Sequence, residues 1–310
     1  MVTILLFPGQ GAQQVGMAAD LADEFPAARE ALRRSDDALG FPLSRLMAEG
    51  PDADLTRTEN AQPAILAHSV AVLDTVRERL GEVVAAAGHS LGEYSAWVAS
   101  GVLDPADAAR LVRRRGELMA GAGAARPGAM SAVLGLDSGA VVDACSAQSA
   151  ETGRTVVAAN LNAPDQVVIS GDPDAVAAAG ERCRAAGAKR VVALNVSGAF
   201  HSPLMEPAAA GLREALAATT FGPAAFPVIA NATASMACSP ADAMTTLGMQ
   251  LTAPVRWVES MRLLAQRFPA ARWLELGPGT VLTGLLRRIV PGSDATALGT
   301  ATQLRAWLAA

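Results

Sequence analysis

The amino-acid sequence predicts an α/β fold organised around two β-sheets. Short apolar runs alternate with longer helical segments along most of the 310 residues, as in a parallel sheet covered by helices. One of these runs leads into a Gly-x-Ser-x-Gly motif that is followed by a helix. In the middle of the chain the order of elements is β-α-β-β-α-β, which is the ferredoxin-like signature. These observations predict a large domain with a parallel sheet and a small domain inserted into it.

The first part of the large domain follows from hydrophobic periodicity and from helix-start signals. Residues 4–7 are an apolar run that predicts the first strand, and a glycine-punctuated loop follows it at 8–13. A helix is expected over 20–39. Asn60 is the expected N-cap of a further helix over 61–80, which leads towards the motif.

The Gly-x-Ser-x-Gly motif occupies residues 88–92, between an expected strand over 83–87 and an expected helix over 93–100. Strand, tight turn and helix are the context of the nucleophile elbow of an α/β-hydrolase-like sheet. We expect Ser90 at the tip of the turn, where the N–H groups of a helix N-terminus stabilise developing negative charge. The alternative is a chance motif in a chain rich in glycine and alanine.

The segment after the elbow is expected to form a helix over 106–120, opened by Asp104 and Pro105, and then a linker over 121–128. The helix carries four arginines. Such a run is typical of a solvated face, although one of its members can face inward. The four are Arg110, Arg113, Arg114 and Arg115.

The small domain is expected over residues 127–197, which leaves 1–126 and 198–310 for the large domain. Apolar runs and helical periodicity predict strands over 129–134, 156–159, 166–170 and 190–196, helices over 138–148 and 173–186, and a turn at 162–165. The large domain then resumes with a helix that ends near residue 218, strands over 227–231 and 273–276, and a helix over 281–289.

Composition excludes several classes of protein. The net charge of −5 argues against a nucleic-acid-binding surface, and no apolar run approaches the roughly 20 residues of a membrane span. The N-terminus has no basic segment and meets Pro8, so we expect a first strand there and not a signal peptide. Three widely spaced cysteines fit a reducing cytoplasm, without a disulfide framework or a zinc cluster. Nothing in the sequence demands more than a monomer.

A serine nucleophile needs a base, and histidine is the usual one at neutral pH. His201 is the preferred candidate among the three histidines because it lies in a loop after an expected strand, where catalytic groups of α/β folds are found. His68 lies within an expected helix among apolar residues, which is typical of a packed histidine. His89 adjoins Ser90 on the elbow, so its side chain is expected to point away in a supporting role.

The group that orients the base stays open at this point. A triad would add a carboxylate after the elbow, and Asp104, Asp242 and Glu275 are the candidates, although none stands out by spacing. The alternative is a dyad whose imidazole is oriented by an amide or a main-chain carbonyl.

Eight short motifs together closely resemble the malonyl-CoA:acyl-carrier-protein transacylases and the related discrete acyltransferases of polyketide synthesis. They occur in family order over nearly the whole chain. The motifs are Pro-Gly-Gln-Gly-Ala-Gln at 8–13, Ala-Gln-Pro-Ala at 61–64, Gly-His-Ser-Leu-Gly-Glu-Tyr at 88–94, Arg-Gly-Glu-Leu-Met at 115–119, Gly-Ala-Met at 128–130, Asn-Ala-Pro-Asp-Gln-Val-Val-Ile-Ser-Gly at 162–171, Ala-Phe-His-Ser-Pro-Leu-Met at 199–205 and Leu-Gly-Pro-Gly at 276–279.

The resemblance implies catalytic roles position by position. Ser90 is the nucleophile that carries the acyl group, and His201 is its base. Gln250 matches the residue whose main-chain carbonyl orients the imidazole. Gln10 and the backbone N–H of Leu91 match the oxyanion hole.

The resemblance also implies which residues bind the substrate. Arg115 matches the arginine that pairs with the free carboxylate of a malonyl group, and Met119 and Asn162 are further expected substrate-binding positions. Phe200 before the base, together with Leu91, is typical of malonyl selectivity, because a bulky Phe200 fills the space that a 2-methyl branch needs. Gly198 departs from modular malonyl-specific domains, which often carry histidine there.

The expected activity is transfer of a malonyl group from malonyl-CoA to the phosphopantetheine thiol of an acyl-carrier protein, for fatty-acid or polyketide synthesis. The expected partners are therefore malonyl-CoA and the carrier protein, and no metal or redox cofactor is needed. A hydrolase that clears acyl groups from carrier proteins is the alternative, and Arg115 argues against it because neutral acyl chains gain nothing from an arginine. A non-catalytic docking module is disfavoured by the Ser90–His201 pair.

The carrier protein is acidic in this family, so a local basic patch is expected to dock it. The candidates for this patch are Arg182, Arg184, Lys189, Arg190, Arg287 and Arg288.

Overall fold

The computed structural model describes residues 2–196 and 198–310. Within them the strands are β1 (Val2–Phe7), β2 (Glu82–Gly88), β3 (Ala129–Leu134), β4 (Val156–Ala163), β5 (Gln166–Gly171), β6 (Arg190–Ala193), β7 (Val228–Ile229), β8 (Met236–Ala237), β9 (Arg272–Leu276) and β10 (Ala295–Leu298). The α-helices are α1 (Ala19–Glu24), α2 (Pro26–Leu39), α3 (Leu43–Glu49), α4 (Asp52–Thr56), α5 (Thr58–Val76), α6 (Gly92–Ala99), α7 (Pro105–Ala125), α8 (Ser138–Thr152), α9 (Pro173–Ala185), α10 (Glu206–Ala217), α11 (Pro240–Gln250), α12 (Trp257–Arg267), α13 (Val281–Ile289) and α14 (Ala301–Ala309).

The larger sheet has six strands in the order β10-β9-β1-β2-β7-β8. The first five are parallel to one another, and β8 is antiparallel to β7. Phe7 at the end of β1 is level with Gly88 at the end of β2, and the His89 N–H donates to the Phe7 oxygen over 3.0 Å. The loop after β1 and the elbow after β2 therefore meet at one edge of the sheet, where α/β folds place their ligands.

The smaller sheet has four antiparallel strands in the order β4-β5-β3-β6. Helices α8 and α9 cover one face and enclose an apolar core of their own, which includes Val133, Val141, Ile169 and Val176. The segment between α11 and α12 pairs with β4 of the smaller sheet, where the Leu161 N–H donates to the Val255 oxygen over 2.9 Å.

Several expected boundaries are wrong, each for a local reason. The helix expected over 20–39 is broken at Phe25, which is extended (φ −113°, ψ 114°) because a residue that precedes proline disfavours the helical region. Asn60 is not an N-cap, since α5 begins at Thr58 and the Asn60 side chain donates to the Asp54 oxygen over 2.8 Å. That helix ends at Val76 and continues as a short 3₁₀ turn.

The segment expected as a linker over 121–128 is mostly helix, because α7 continues to Ala125. Its alanines favour helix, and Gly123 is buried in the packing. Strand β4 runs four residues beyond the expected end at 159, while β6 stops at Ala193. The expected domain boundary at 197 lies outside the described residues. Within the described ranges, no helix is long and apolar enough to cross a membrane.

Candidate active site

Ser90 occupies the tight turn between β2 and α6 in a left-handed backbone conformation, with φ 50°. The turn requires glycine on both sides of it. A Cβ on Gly88 would overlap the backbone of Gly92, and a Cβ on Gly92 would overlap the Phe7 oxygen. Leu91, the N-cap of α6, follows Ser90 directly, so its N–H belongs to the helix end that lacks intrahelical partners.

His201 faces Ser90 from the loop before α10, with its Nε2 2.8 Å from the Ser90 Oγ. Its Nδ1 lies 3.0 Å from the main-chain oxygen of Gln250 and 3.3 Å from that of Ala253. Carbonyl oxygens only accept, so Nδ1 carries the proton and Nε2 accepts from the hydroxyl. Burial, assisted by the nearby charge of Arg115, lowers the pKa of His201 to about 3. The imidazole is therefore a neutral base at physiological pH.

A main-chain carbonyl is thus the partner of the base, and this geometry favours a Ser90–His201 dyad over a triad with a carboxylate. The three carboxylates weighed for a triad instead bind helix N-termini. Asp104 accepts from the first turn of α7, Asp242 from the Ser239 N–H at the start of α11, and Glu275 from the first turn of α13.

Arg115 lies beneath Ser90 and is only 1% exposed. One of its terminal nitrogens donates to Gln62 Oε1 over 2.6 Å. The other donates to Gln250 Oε1 over 3.0 Å and to Ser90 Oγ over 3.1 Å. Its Cζ lies 5.5 Å from the centre of the Tyr94 ring. A buried cation is therefore held within hydrogen-bond distance of the Ser90 hydroxyl.

Glu93 completes the packing below the elbow. Its Oε2 accepts from the Asn231 N–H over 3.0 Å and from Gln250 Nε2 over 2.7 Å. Burial raises the pKa of this carboxyl to about 7, although those two bonds and the charge of Arg115 oppose the rise. We call the five buried polar residues beneath Ser90 the polar floor: Gln62, Glu93, Arg115, Asn231 and Gln250.

A cavity of about 730 Å³ opens above Ser90, between the two sheets. Four of the sequence-predicted residues line it with Ser90, namely Gln10, Met119, Phe200 and His201. Gln10 is exposed at the mouth and its Nε2 donates to Thr58 Oγ1 over 3.4 Å. The structure therefore brings together the residues expected for the nucleophile, the base, the oxyanion hole and the acyl pocket.

Asn162 is not among the residues that line the cavity but contacts His89, which does line it, so its role at the substrate stays a prediction. Its Oδ1 is 2.7 Å from His89 Nε2, and the residue of β4 that lines the cavity is Asn160. Residues 162 and 163 belong to β4 and not to the turn expected there. The pairing of β4 with β5 is irregular between Leu161 and Ala163, and such an irregularity breaks the regular alternation of faces along a strand. His68 is buried far along α5 and its Nε2 lies 2.9 Å from the Gly299 oxygen, as a packed histidine.

Comparison with known proteins decides the family. A family model described as acyl transferase domain matches residues 4–288. The chain is 42% identical over 304 residues to the malonyl CoA-acyl carrier protein transacylase of Escherichia coli strain K12. This match covers 98% of this chain and 97% of the relative. It is 45% identical over 285 residues to the malonyl CoA-acyl carrier protein transacylase of Bacillus subtilis strain 168, covering 92% and 89%. The chain belongs to the malonyl-CoA:acyl-carrier-protein transacylase family.

Solved structures of transacylases agree with this assignment. One is a type II PKS acyl-carrier protein in complex with its malonyl-transacylase, PlMCAT:AntF, which matches with a TM-score of 0.94 at 41% identity and covers 100% of this chain and 99% of that chain. Another is an acyl carrier protein S-malonyltransferase from Vibrio cholerae, with a TM-score of 0.94 at 41% identity, covering 98% and 99%.

Three members of the polar floor are not among the site residues predicted from the sequence. Asn231 ends the expected strand over 227–231, and a polar residue at the end of a parallel strand was an available signal. Gln62 and Glu93 lie inside the family motifs at 61–64 and 88–94, but nothing local distinguishes them from polar residues of an exposed helical turn. The side chain of Gln250 was missed as well, because only its carbonyl was expected to act.

Proposed function

We propose that this chain transfers a malonyl group from malonyl-CoA to the phosphopantetheine thiol of an acyl-carrier protein, through an ester on Ser90. The observation that carries the proposal is the double contact of the Ser90 Oγ, with His201 Nε2 at 2.8 Å and with a terminal nitrogen of Arg115 at 3.1 Å. One neighbour takes the hydroxyl proton. The other presents a fixed positive charge where the acyl group will lie.

In the first half-reaction the Ser90 Oγ attacks the thioester carbonyl while its proton passes to His201 Nε2. Negative charge develops on the carbonyl oxygen, and the Leu91 N–H and the Gln10 amide are the proposed donors to it. The intermediate collapses when the carbon–sulfur bond breaks. The CoA sulfur takes the proton back from His201, and Ser90 carries the malonyl ester.

The second half-reaction repeats these steps with a different acceptor. The thiol of the phosphopantetheine arm gives its proton to His201 Nε2 and its sulfur attacks the ester carbonyl. The Ser90 oxygen leaves and recovers the proton, so the enzyme returns to its starting state. Every proton transfer uses His201, and the acyl group stays at one oxidation level, so the steps require no metal or redox cofactor.

Arg115 supports the choice of a malonyl group over a neutral acyl group. A carboxylate that enters a partly dry pocket loses water and needs a charged partner, and a guanidinium fork provides two parallel hydrogen bonds. The alternative function, hydrolysis of acyl groups on carrier proteins, leaves this buried cation without a purpose and is not favoured by the relatives. Met119 and Phe200 are the proposed apolar walls of the acyl pocket, and Phe200 excludes a 2-methyl branch.

The two sheets support a matching division of the chain, which we propose as an α/β-hydrolase-like large domain over 1–126 and 198–310 and a ferredoxin-like insertion over 127–197. The chain order β3-α8-β4-β5-α9-β6 supports the second part. The large domain then supplies Ser90, His201 and Arg115, while the small one closes the cavity through Met130 and Asn160. We propose the cytoplasm as the location, from the three free cysteines.

Intact-protein mass spectrometry tests the proposal. After incubation with malonyl-CoA, the protein should gain the mass of one malonyl group, and a carrier protein in its phosphopantetheine form should remove it. Ser90→Ala should abolish both the adduct and the transfer. A stable adduct on the alanine variant, or release of the group to water faster than to the carrier protein, would contradict the proposal.

A further inference from the structure

Glu93 has no part in the two half-reactions, yet it is fully buried one helical turn from the nucleophile. We propose that Glu93 is a positioning residue, whose carboxylate holds Asn231 and Gln250 so that these two align Ser90, Arg115 and His201. The inference rests on the proposed function, because the alignment matters for the transfer of a carboxylated acyl group.

The carboxylate presents one oxygen to two donors. Glu93 Oε2 accepts both from the Asn231 N–H and from Gln250 Nε2. A single acceptor atom at this point is therefore what the two partners require. Asn231 reaches it from the end of β7 and Gln250 from the end of α11, so Glu93 joins two separate elements below the elbow.

The acceptor also fixes which way the Gln250 amide faces. A carboxylate oxygen accepts only, so the amide must turn its nitrogen towards Glu93 and its oxygen towards Arg115. In that orientation Gln250 Oε1 accepts from Arg115 over 3.0 Å, and Nε2 also donates to the Ser90 main-chain oxygen over 3.0 Å. The reversed amide would place its NH₂ against the guanidinium, which has no acceptor.

From these two amides the contacts reach each group that the reaction uses. Asn231 Oδ1 accepts from the Ser90 N–H over 2.7 Å, and its Nδ2 donates to the Gly88 oxygen over 2.7 Å, which fixes the elbow on both sides. Gln250 contacts Arg115 with its side chain and His201 with its carbonyl. The nucleophile, the base and the carboxylate-binding cation thus share one buried support.

Two conservative variants separate a hydrogen-bonding role from a role of charge. Glu93→Gln keeps an oxygen at the position of Oε2 and removes the charge. Glu93→Asp keeps the charge but withdraws the acceptor by one methylene. The positioning role predicts that the glutamine variant retains nearly the wild-type acylation rate, and that the aspartate variant loses roughly 10- to 100-fold, as a misplacement of about 1 Å does.

Glu275 provides matched controls, since it is equally buried and accepts from two backbone N–H groups, those of Leu282 and Thr283. Its two bonds use different oxygens and belong to α13. Glu275→Gln and Glu275→Asp should therefore lower thermal stability without changing the acylation rate of the folded protein.

The measurements are single-turnover acylation by malonyl-CoA and by acetyl-CoA, normalised to the folded fraction from circular dichroism. In Glu93→Asp the malonyl rate should fall more than the acetyl rate, because Arg115 is misaligned for the carboxylate. The inference is overturned if the aspartate variant acylates like the Glu275 variants, or if glutamine is no better than aspartate. Failure of the wild-type protein to form the malonyl adduct overturns the proposed function instead, so the two failures are distinguishable.

Discussion

The polar floor beneath Ser90 and the core of the smaller sheet are equally buried but chemically opposite. The core packs aliphatic side chains such as Val133, Ile169 and Val176 against one another. The polar floor buries an arginine and a carboxyl group, which are held by hydrogen bonds to the side-chain amides of Gln62 and Gln250. Burial of charged groups costs stability, whereas apolar burial contributes it. The core therefore supports the fold, and the floor holds the groups around Ser90.

The largest expected effect on the acylation rate is that of removing His201, the base whose Nδ1 is held by the main-chain oxygen of Gln250 in the polar floor. His201→Ala should slow acylation by roughly 10²–10⁴-fold, the usual range for a positioned general base. His68→Ala removes a histidine that is equally buried but packed away from Ser90, so at saturating substrate its rate should stay near that of the wild type. Stopped-flow acylation with malonyl-CoA measures the rates of both variants. Equal losses would contradict the assignment of His201, and not His68, as the base.

The second-largest expected effect is the loss of kcat/KM for malonyl-CoA when Arg115 is removed from the polar floor. Truncating one partner of a buried charge pair costs about 2–5 kcal/mol, so Arg115→Ala should lower kcat/KM for malonyl-CoA by roughly 30- to several-thousand-fold. Acetyl-CoA has no carboxylate and should lose nothing. Lysine at this position should recover only part of the loss, because it lacks the planar fork.

Steady-state kinetics with both acyl-CoA substrates test this prediction. Parallel losses for malonyl-CoA and acetyl-CoA would falsify direct contact between Arg115 and the carboxylate, and would reopen the hydrolase alternative.

In the core of the smaller sheet we expect the opposite pattern, a loss of stability without a loss of catalysis. Ile169→Ala should reduce the free energy of unfolding by about 2–5 kcal/mol, the range for truncation of a buried isoleucine. Acylation of Ser90 by the folded fraction should be unchanged, because Ile169 packs against α8 and α9 and not against the cavity. Urea unfolding and acylation of one preparation measure both, and a rate loss that exceeds the unfolded fraction would show that the core and the floor are coupled.

The smallest effect is expected at the surface, where the structure narrows the candidate docking residues. Arg182, Arg184 and Arg288 are each paired with an acidic side chain of this chain, namely Glu151, Glu181 and Asp165. The other three candidates, Lys189, Arg190 and Arg287, are exposed and form no ion pair among the described residues, and Arg190 is the one chosen for the test. Arg190→Glu should raise KM for the carrier protein a few-fold and leave KM for malonyl-CoA unchanged. An unchanged KM for both substrates would remove Arg190 from the docking surface, and Arg182→Glu serves as the paired control.

The sequence by itself determined the elements whose signals are local. Strand β3 and helix α13 begin and end where periodicity predicts, and the elbow requires Gly88 and Gly92 because the surrounding backbone leaves no room for a Cβ at either position. The elbow motif predicted Ser90 and the loop position favoured His201, while the family resemblance implied the role of Arg115. These features depend on neighbours along the chain, which is why they could be predicted.

Tertiary structure alone decided the features that depend on distant residues. Asn231 and Gln250 lie more than a hundred positions after Ser90, and only the packing of β7 and α11 against the elbow makes them neighbours. The side-chain contacts of Gln250, and the hydrogen bond between Asn162 and His89, have the same origin. Hydrogen bonds between side chains far apart in sequence leave no periodic trace, so no pattern in the chain predicts them.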